Sequence, residues 1–238
     1  MVLLFVSKRL PKGVVFMKKM IICPSLMCAD FDSLKDEVVT LDKAGADIFH
    51  IDIMDGSFVP NFGMGLQDVE TVRRNTSKLI DVHLMIDNPG EYVELFVNLG
   101  ADIIYIHPEA DKHPARTLAQ IKELGKSPGI AINPGTSLES IKPLFHLIDY
   151  LMIMTVNPGF AGQKYLNYVD EKIKETMHKE ERSNFKVMVD GAISPEKIQY
   201  LHSLGVDGFV LGTSALFGKN SSYKDLIKEY KGFNKEEI

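Results

Sequence analysis

Histidines and aspartates recur at two-residue spacing within short apolar stretches of this 238-residue chain. One stretch reads Phe49-His50-Ile51-Asp52-Ile53-Met54-Asp55-Gly56, another reads Asp81-Val82-His83-Leu84-Met85, and a third ends in Val189-Asp190-Gly191. Alternate residues of an extended strand share a face, so His50, Asp52 and Met54 point one way and Ile51 and Ile53 the other. A lone histidine on such a face is more often a hydrogen-bonded core residue than a ligand, because buried polar groups need partners of some kind. Four groups together at strand ends favour a metal. His50, Asp52, His83 and Asp190 offer two imidazoles and two carboxylates, a donor set for one divalent ion per subunit. Mixed nitrogen and oxygen ligands suit Zn2+, Fe2+, Mn2+ or Co2+ alike. Met54, Met85 and Met154 read either as core filler or as a soft, dry collar around a reacting group.

Phosphate is the second chemistry that the residues point to. Thr155-Val156-Asn157-Pro158 leads into Gly159, Phe160, Ala161 and Gly162, where glycines expose backbone N–H groups that can converge on an anion. Further on, Gly212-Thr213-Ser214 stands before an expected helix start, whose free N–H groups and dipole favour the same ligand. Either segment alone is only a turn. In tandem, with Gly191-Ala192 alongside, they favour phosphate.

The elements that must carry these groups alternate along the chain. Strands are expected at 21–24, 48–54, 79–85, 103–107, 129–133, 150–156, 186–190 and 208–212. Amphipathic helices are expected at 31–44, 90–99, 115–124, 165–179 and 195–204. Gly45, Gly100 and Gly205 stand where helices should close, and Ser194-Pro195 supplies a cap followed by proline at the first helical position. Eight short, mostly apolar strands alternating with helices predict a parallel sheet buried on both faces. The count and length fit a single (β/α)8 TIM barrel, in which functional groups sit at the C-terminal ends of strands. An open doubly wound sheet is the alternative, but no G-x-G-x-x-G follows an early strand.

Composition removes other classes. With 45% hydrophobic and 25% charged residues the chain is an ordinary globular protein, and its net charge of −5 argues against nucleic acid as a partner. No apolar stretch approaches the roughly 20 residues of a membrane span. Cys23 and Cys28 are too few for a disulfide framework and read as small buried residues in a cytoplasmic protein. Residues 1–19 read as an N-terminal extension or a misplaced start ahead of a catalytic barrel at 20–238. Their apolar run, Val2 to Val6, precedes Lys8, Arg9 and Lys12, the reverse of a secretory signal. His107 ends the fourth strand at the expected mouth, and Glu109 is placed to orient a ligand. The tail from Lys228 onward reads as a solvated, frayed helix.

The segment His50-Ile51-Asp52-Ile53-Met54-Asp55-Gly56 with Phe58-Val59-Pro60-Asn61 resembles the hallmark of the ribulose-phosphate 3-epimerase family. Pro24-Ser25-Leu26-Met27, His83-Leu84-Met85, Met154-Thr155-Val156-Asn157-Pro158-Gly159-Phe160 and Val189-Asp190-Gly191 match that family in order and position. The resemblance implies a metal-dependent (β/α)8 isomerase, a homo-oligomer whose partner is a small ketose phosphate. It makes His50, Asp52, His83 and Asp190 metal ligands, and Asp52 and Asp190 also the catalytic acid/base groups. Ser25, His83, Met54, Met85, Met154, Gly191 and Ala192 would contact substrate. Gly159, Phe160, Ala161, Gly162, Gly212 and Thr213 would hold phosphate.

Several segments differ from the commonest ribulose 5-phosphate pattern: Leu26-Met27-Cys28, Phe160-Ala161-Gly162, Asp190-Gly191-Ala192, Gly212-Thr213-Ser214 and His107-Pro108-Glu109. All but the third resemble the allulose-6-phosphate 3-epimerase branch. The expected reaction is therefore D-allulose 6-phosphate to D-fructose 6-phosphate, with D-ribulose 5-phosphate to D-xylulose 5-phosphate as the alternative. Inverting C3 beside a carbonyl takes a proton from one face and returns one to the other, through an enediolate. Two carboxylates with pKa values pushed apart would serve. An orotidine-phosphate decarboxylase-like lyase would need Asp-x-Lys-x-x-Asp, and the second strand has no lysine. A non-catalytic sugar-phosphate-binding protein would not need both carboxylates and all four ligands.

Overall fold

A computed structural model describes residues 19–233. The expectations for residues 1–18 and for the last five residues lie outside the described residues. Eight parallel strands form one sheet: β1 (Ile21–Pro24), β2 (Ile48–Met54), β3 (Leu79–Met85), β4 (Ile103–Ile106), β5 (Ser127–Ile132), β6 (Tyr150–Met154), β7 (Lys186–Asp190) and β8 (Gly208–Leu211). Neighbours run in the order β1-β8-β7-β6-β5-β4-β3-β2. The remaining seam, between β1 and β2, is bridged at Ser25 and His50, and the Asp47 amide donates to the Ile22 carbonyl at 3.0 Å. The result is a nearly closed (β/α)8 TIM barrel.

Each strand is followed by a helix: α1 (Leu34–Ala44), α2 (Leu66–Asn75), α3 (Val93–Asn98), α4 (Pro114–Glu123), α5 (Leu138–Ile141), α6 (Val169–His178), α7 (Pro195–Ser203) and α8 (Tyr223–Gly232). Local chemistry sets their ends. The Ser194 side chain accepts from the Lys197 amide ahead of Pro195, and Gly45 closes α1 at φ 98°, where a side chain would be strained.

The two-residue period of the strands sorts the barrel into two cores. Phe49, Ile51, Ile80, Val82, Ile104, Leu151 and Val187 face the helices, whereas Cys23, Tyr105, Met152, Met188 and Val210 fill the barrel. His50, Asp52, His83, Met154 and Asp190 continue the inward rows. The opposite rim of the barrel is secured by aspartates just before even-numbered strands. Asp47 accepts from the Ile22 amide, Asp102 from Ile80 and Asp207 from Val187, each at 2.8–3.1 Å.

Several expectations differ from the structure: β6 ends at Met154 rather than at 156, α6 begins at Val169 rather than at 165, and α2 and α5 fall outside the helices named from the sequence. β5 starts two residues earlier and includes Pro128. Gly212-Thr213-Ser214 is followed by a single turn, with the Leu216 amide on the Gly212 carbonyl, and α8 begins only at Tyr223. α8 is packed rather than solvated: Tyr230 is buried and donates to the Ala215 carbonyl at 2.6 Å. Cys28 is half-buried, unlike Cys23.

Candidate active site

The register between β2 and β3 builds the centre of the site. His50 lies beside Asp81, Asp52 beside His83, and Met54 beside Met85, three inward-facing rungs stacked toward the C-terminal rim. Asp190 enters from the end of β7. One ligand atom from each of His50, Asp52, His83 and Asp190 lies within 4.8 Å of all the others. The sequence expected these four residues to meet, and they do.

The hydrogen bonds around the four aim them at a common point. His50 Nδ1 bonds to the buried Asp81 carboxylate, which leaves Nε2 facing Asp52 Oδ1 at 3.2 Å and Asp190 Oδ2 at 3.8 Å. Asp52 is fixed on its other side by the Ser25 hydroxyl, which donates to Oδ2 at 2.9 Å. His83 Nδ1 is buried with no hydrogen-bond partner and looks at Asp52 Oδ1 and Asp190 Oδ2, at 3.5 and 3.7 Å. An unpartnered buried nitrogen is uncommon. Its lone pair and the facing carboxylate oxygens are what a divalent cation would satisfy, so the residues fit a metal.

Electrostatics agree with a site made for positive charge. Burial alone would push the His50 imidazole down, but Asp81 and Asp52 outweigh it and hold its pKa well above the usual range. Burial would push the Asp52 carboxyl up, yet His50 beside it holds it well below the ordinary value. Burial instead wins at Asp190, whose carboxyl is raised, with the neighbouring Asp52 charge adding to the shift. The two carboxylates are thus pushed apart, one ionised and one inclined to keep its proton.

A pocket above this cluster is lined by Ser25, Asp52, Met54, Met85, Met154 and Asp190. Gly191 and Ala192 line it too, as do the expected phosphate residues Gly159, Phe160, Ala161, Gly162, Gly212 and Thr213. His50 and His83 lie beneath it, fully buried. Gly191, at φ 118°, has no room for a side chain: a Cβ there would lie 2.5 Å from Val156 Cγ2. The three methionines are each less than a tenth exposed, so they serve as packing and as a dry wall at once.

Residues that sequence reasoning missed hold the frame. Asp81 lies within a stretch singled out for His83 and Met85, and the strand register alone would have placed it beside His50. The Thr155 hydroxyl lies 2.5 Å from the Gly191 carbonyl and 2.9 Å from that of Asp190, with one hydrogen to share, and its amide donates to the Asp190 carbonyl at 2.7 Å, which fixes the backbone that carries the rim carboxylate. The Asn61 amide donates to the Gly159 carbonyl at 2.6 Å and ties the β2–α2 loop to the glycine-rich loop after β6. His202 packs in α7 with Nδ1 3.2 Å from the Val206 carbonyl.

Comparison with known proteins gives this geometry a lineage. The ribulose-phosphate 3 epimerase family matches residues 21–217. The chain belongs to that family. It is 41% identical to the ribulose-phosphate 3-epimerase of Bacillus subtilis over 214 residues, covering 89% of this chain and 98% of that one. It is also 41% identical to the enzyme of that name from Synechocystis, over 85% of this chain and 90% of the relative. As a member of the ribulose-phosphate 3 epimerase family the chain is an isomerase. Among solved structures, 3-keto-L-gulonate-6-phosphate decarboxylase from Vibrio cholerae superposes with a TM-score of 0.66 at 16% identity, over 92% of this chain and all of that one. That likeness shows the shared barrel alone. Among the described residues no helix is long and apolar enough to cross a membrane.

Proposed function

We propose that the chain inverts C3 of a phosphorylated 2-ketose, with Asp52 and Asp190 as the proton-transfer pair. The observation that carries this reading is the convergence of two histidines and two carboxylates of opposite pKa tendency at the floor of one pocket. His50, Asp52, His83 and Asp190 would hold a divalent ion, which when bound would draw off the negative charge that develops on the ketose oxygens. Asp52 comes from β2 and Asp190 from β7, with β1 and β8 between them in the sheet, so they reach the pocket from separate directions. One carboxylate takes the C3 proton while the other, protonated, returns one. Ser25 keeps Asp52 oriented, and Thr155 keeps the Asp190 backbone in place. Backbone N–H groups of Gly159, Phe160, Ala161, Gly162, Gly212 and Thr213 would grip the phosphate and position the sugar for transfer. Met54, Met85 and Met154 exclude water from the carbon that reacts.

The substrate favoured by the sequence is D-allulose 6-phosphate. In support, Met27, Cys28, Ala161 and Thr213, four residues carrying that resemblance, all line the pocket. The names of the relatives at 41% identity favour D-ribulose 5-phosphate. Both ketose phosphates offered to the purified, metal-loaded protein in one C3-inversion assay separate the two. A larger kcat/KM for allulose 6-phosphate is expected, and a larger value for ribulose 5-phosphate assigns the pentose reaction. Turnover of neither would remove the epimerase reading. The setting proposed for the enzyme is the cytoplasm, as a homo-oligomer.

A further inference from the structure

A second pair of polar residues stands behind His83, on the side away from the pocket's carboxylates. His83 Nε2 lies 2.8 Å from Nε2 of His107, which is itself fully buried at the end of β4. The two ring planes are inclined by 26°, with centroids 5.0 Å apart, so the rings meet edge to edge through these nitrogens, and the Phe58 ring lies 4.9 Å from that of His107. Beyond it, His107 Nδ1 faces Glu109 Oε2 at 3.5 Å, longer than a hydrogen bond but within ion-pair reach. The other Glu109 oxygen, Oε1, accepts from the Asn133 amide at 2.9 Å and from the Thr136 hydroxyl, so the carboxylate is anchored to the loop after β5.

Only one hydrogen fits between two nitrogens 2.8 Å apart, and its position decides what His83 can do. If His107 Nε2 carries it, His83 Nε2 must accept, the His83 hydrogen moves to Nδ1, and that nitrogen cannot bind a metal. If His83 Nε2 carries it, Nδ1 keeps its lone pair toward Asp52 and Asp190. His107 then carries its own hydrogen on Nδ1, pointing at Glu109.

We propose that His107 and Glu109 are positioning residues that select the metal-ready tautomer of His83. The fixed carboxylate, an acceptor only, favours a hydrogen rather than a lone pair on the His107 Nδ1 that faces it. His107 Nε2 is then bare and accepts from His83 Nε2, and His83 Nδ1 is left open for the ion. Orientation of a ligating histidine through its second nitrogen is a general device in metal sites. Here it runs through two rings and ends on a carboxylate from the next loop. The inference rests on the reading of His83 as a ligand.

The test is 15N NMR of the imidazoles in histidine-labelled protein loaded with Zn2+, joined to Zn2+ affinity measured by chelator competition. On Zn2+ binding, His50 Nε2 and His83 Nδ1 should shift as ligated nitrogens, while His107 shows Nδ1 protonated and Nε2 bare. Zn2+ bound with the hydrogen of His107 on Nε2, or with both of its nitrogens protonated, overturns the proposal alone. No change at His50 or His83 removes the ligand reading and the proposal with it. Glu109→Gln gives a second arm. The Asn133 amide keeps the glutamine oxygen on its side, so the NH2 group meets His107 Nδ1 and demands the opposite tautomer. Zn2+ affinity should fall about 10- to 100-fold, and further than in Glu109→Ala, with the metal-free melting temperature within a few degrees of the parent. Glu109→Gln binding Zn2+ within twofold of the parent would refute the relay, as would Glu109→Ala proving the weaker binder.

Discussion

Replacing Asp190 by asparagine separates what this carboxylate does for the reaction from what it does to the fold. The substitution keeps the side-chain volume. It leaves the Thr155 bonds intact, because they reach backbone carbonyls and not the carboxylate. The Asp190 side chain is 16% exposed. Burial, with Asp52 beside it, pushes its carboxyl from 3.8 up to about 7. A carboxyl raised in the folded state favours folding while it is protonated, and the metal-free protein loses that advantage as pH climbs from about 4 through about 7. A shift of about three units at about 1.4 kcal/mol each sets an upper bound of about 4 kcal/mol on the burden at pH 8. Metal-free Asp190→Asn should therefore melt several degrees above the parent at pH 8, at about 2–4 °C per kcal/mol for a chain of this size, and lose that lead near pH 4. The same variant should lose epimerisation by a factor of about 10³ or more, a barrier increase of about 4 kcal/mol. Asp52 remains, so one epimer should still exchange its C3 hydrogen with deuterated solvent without inverting. Calorimetry across pH and NMR of the recovered sugar read these outcomes. A variant that melts below the parent at pH 8 would refute the burial argument. Substantial epimerisation by it would remove Asp190 from the proton-transfer pair.

Three further outcomes follow from other parts of the molecule. Removing divalent metal with a chelator should abolish turnover and adding it back should restore it; full activity in a preparation shown by elemental analysis to be metal-free would defeat the metal reading. Asn61→Ala removes the side-chain hydrogen bond to the Gly159 carbonyl, worth about 1 kcal/mol. KM for the ketose phosphate should then rise about fivefold with metal affinity unchanged, and an unaltered KM would show that the tie does not position the phosphate loop. Burial pushes the Tyr150 phenol up to about 12, with Cys23 and Asp81 adding to the shift, so its contribution to stability is complete below about pH 10 and declines as pH rises toward 12. Tyr150→Phe should lose less stability than the parent between pH 9 and 11.5 in urea titrations, by at most about 2 kcal/mol because solvent screens the partly exposed phenol, and equal losses would contradict this.

How much of the site could be read without coordinates depends on the range of the interaction concerned. His50, Asp52 and Met54 share a face because the backbone alternates, and that holds for any strand whatever its neighbours. The same rule placed His83 with Met85 and kept Ile51 and Ile53 on the helix side. Asp81 obeys it too, but its role depends on lying beside His50 on an adjacent strand, and parallel neighbours are joined by long crossovers that leave register to packing. His107 and Glu109 were legible as residues at the mouth. The ring-to-ring contact of His107 with His83 was not, since side-chain rotamers at a shared rim have no signature in spacing. The tail from Lys228 was misread for a related reason: a run of lysines and glutamates is a local signal, and the tertiary contacts of Tyr230 overrode it.

The sequence by itself determined the alternation of eight strands and their helices, the four residues with metal-binding chemistry, and the family. Apolar periodicity and motif spacing are written along the backbone and need no partner to be read. Only the tertiary structure decided that the four converge within 4.8 Å, that burial and neighbouring charge drive Asp52 and Asp190 in opposite directions, and that a second histidine stands behind the first. Those properties belong to distances between residues remote in sequence, and they come into being when the barrel closes and water leaves its mouth.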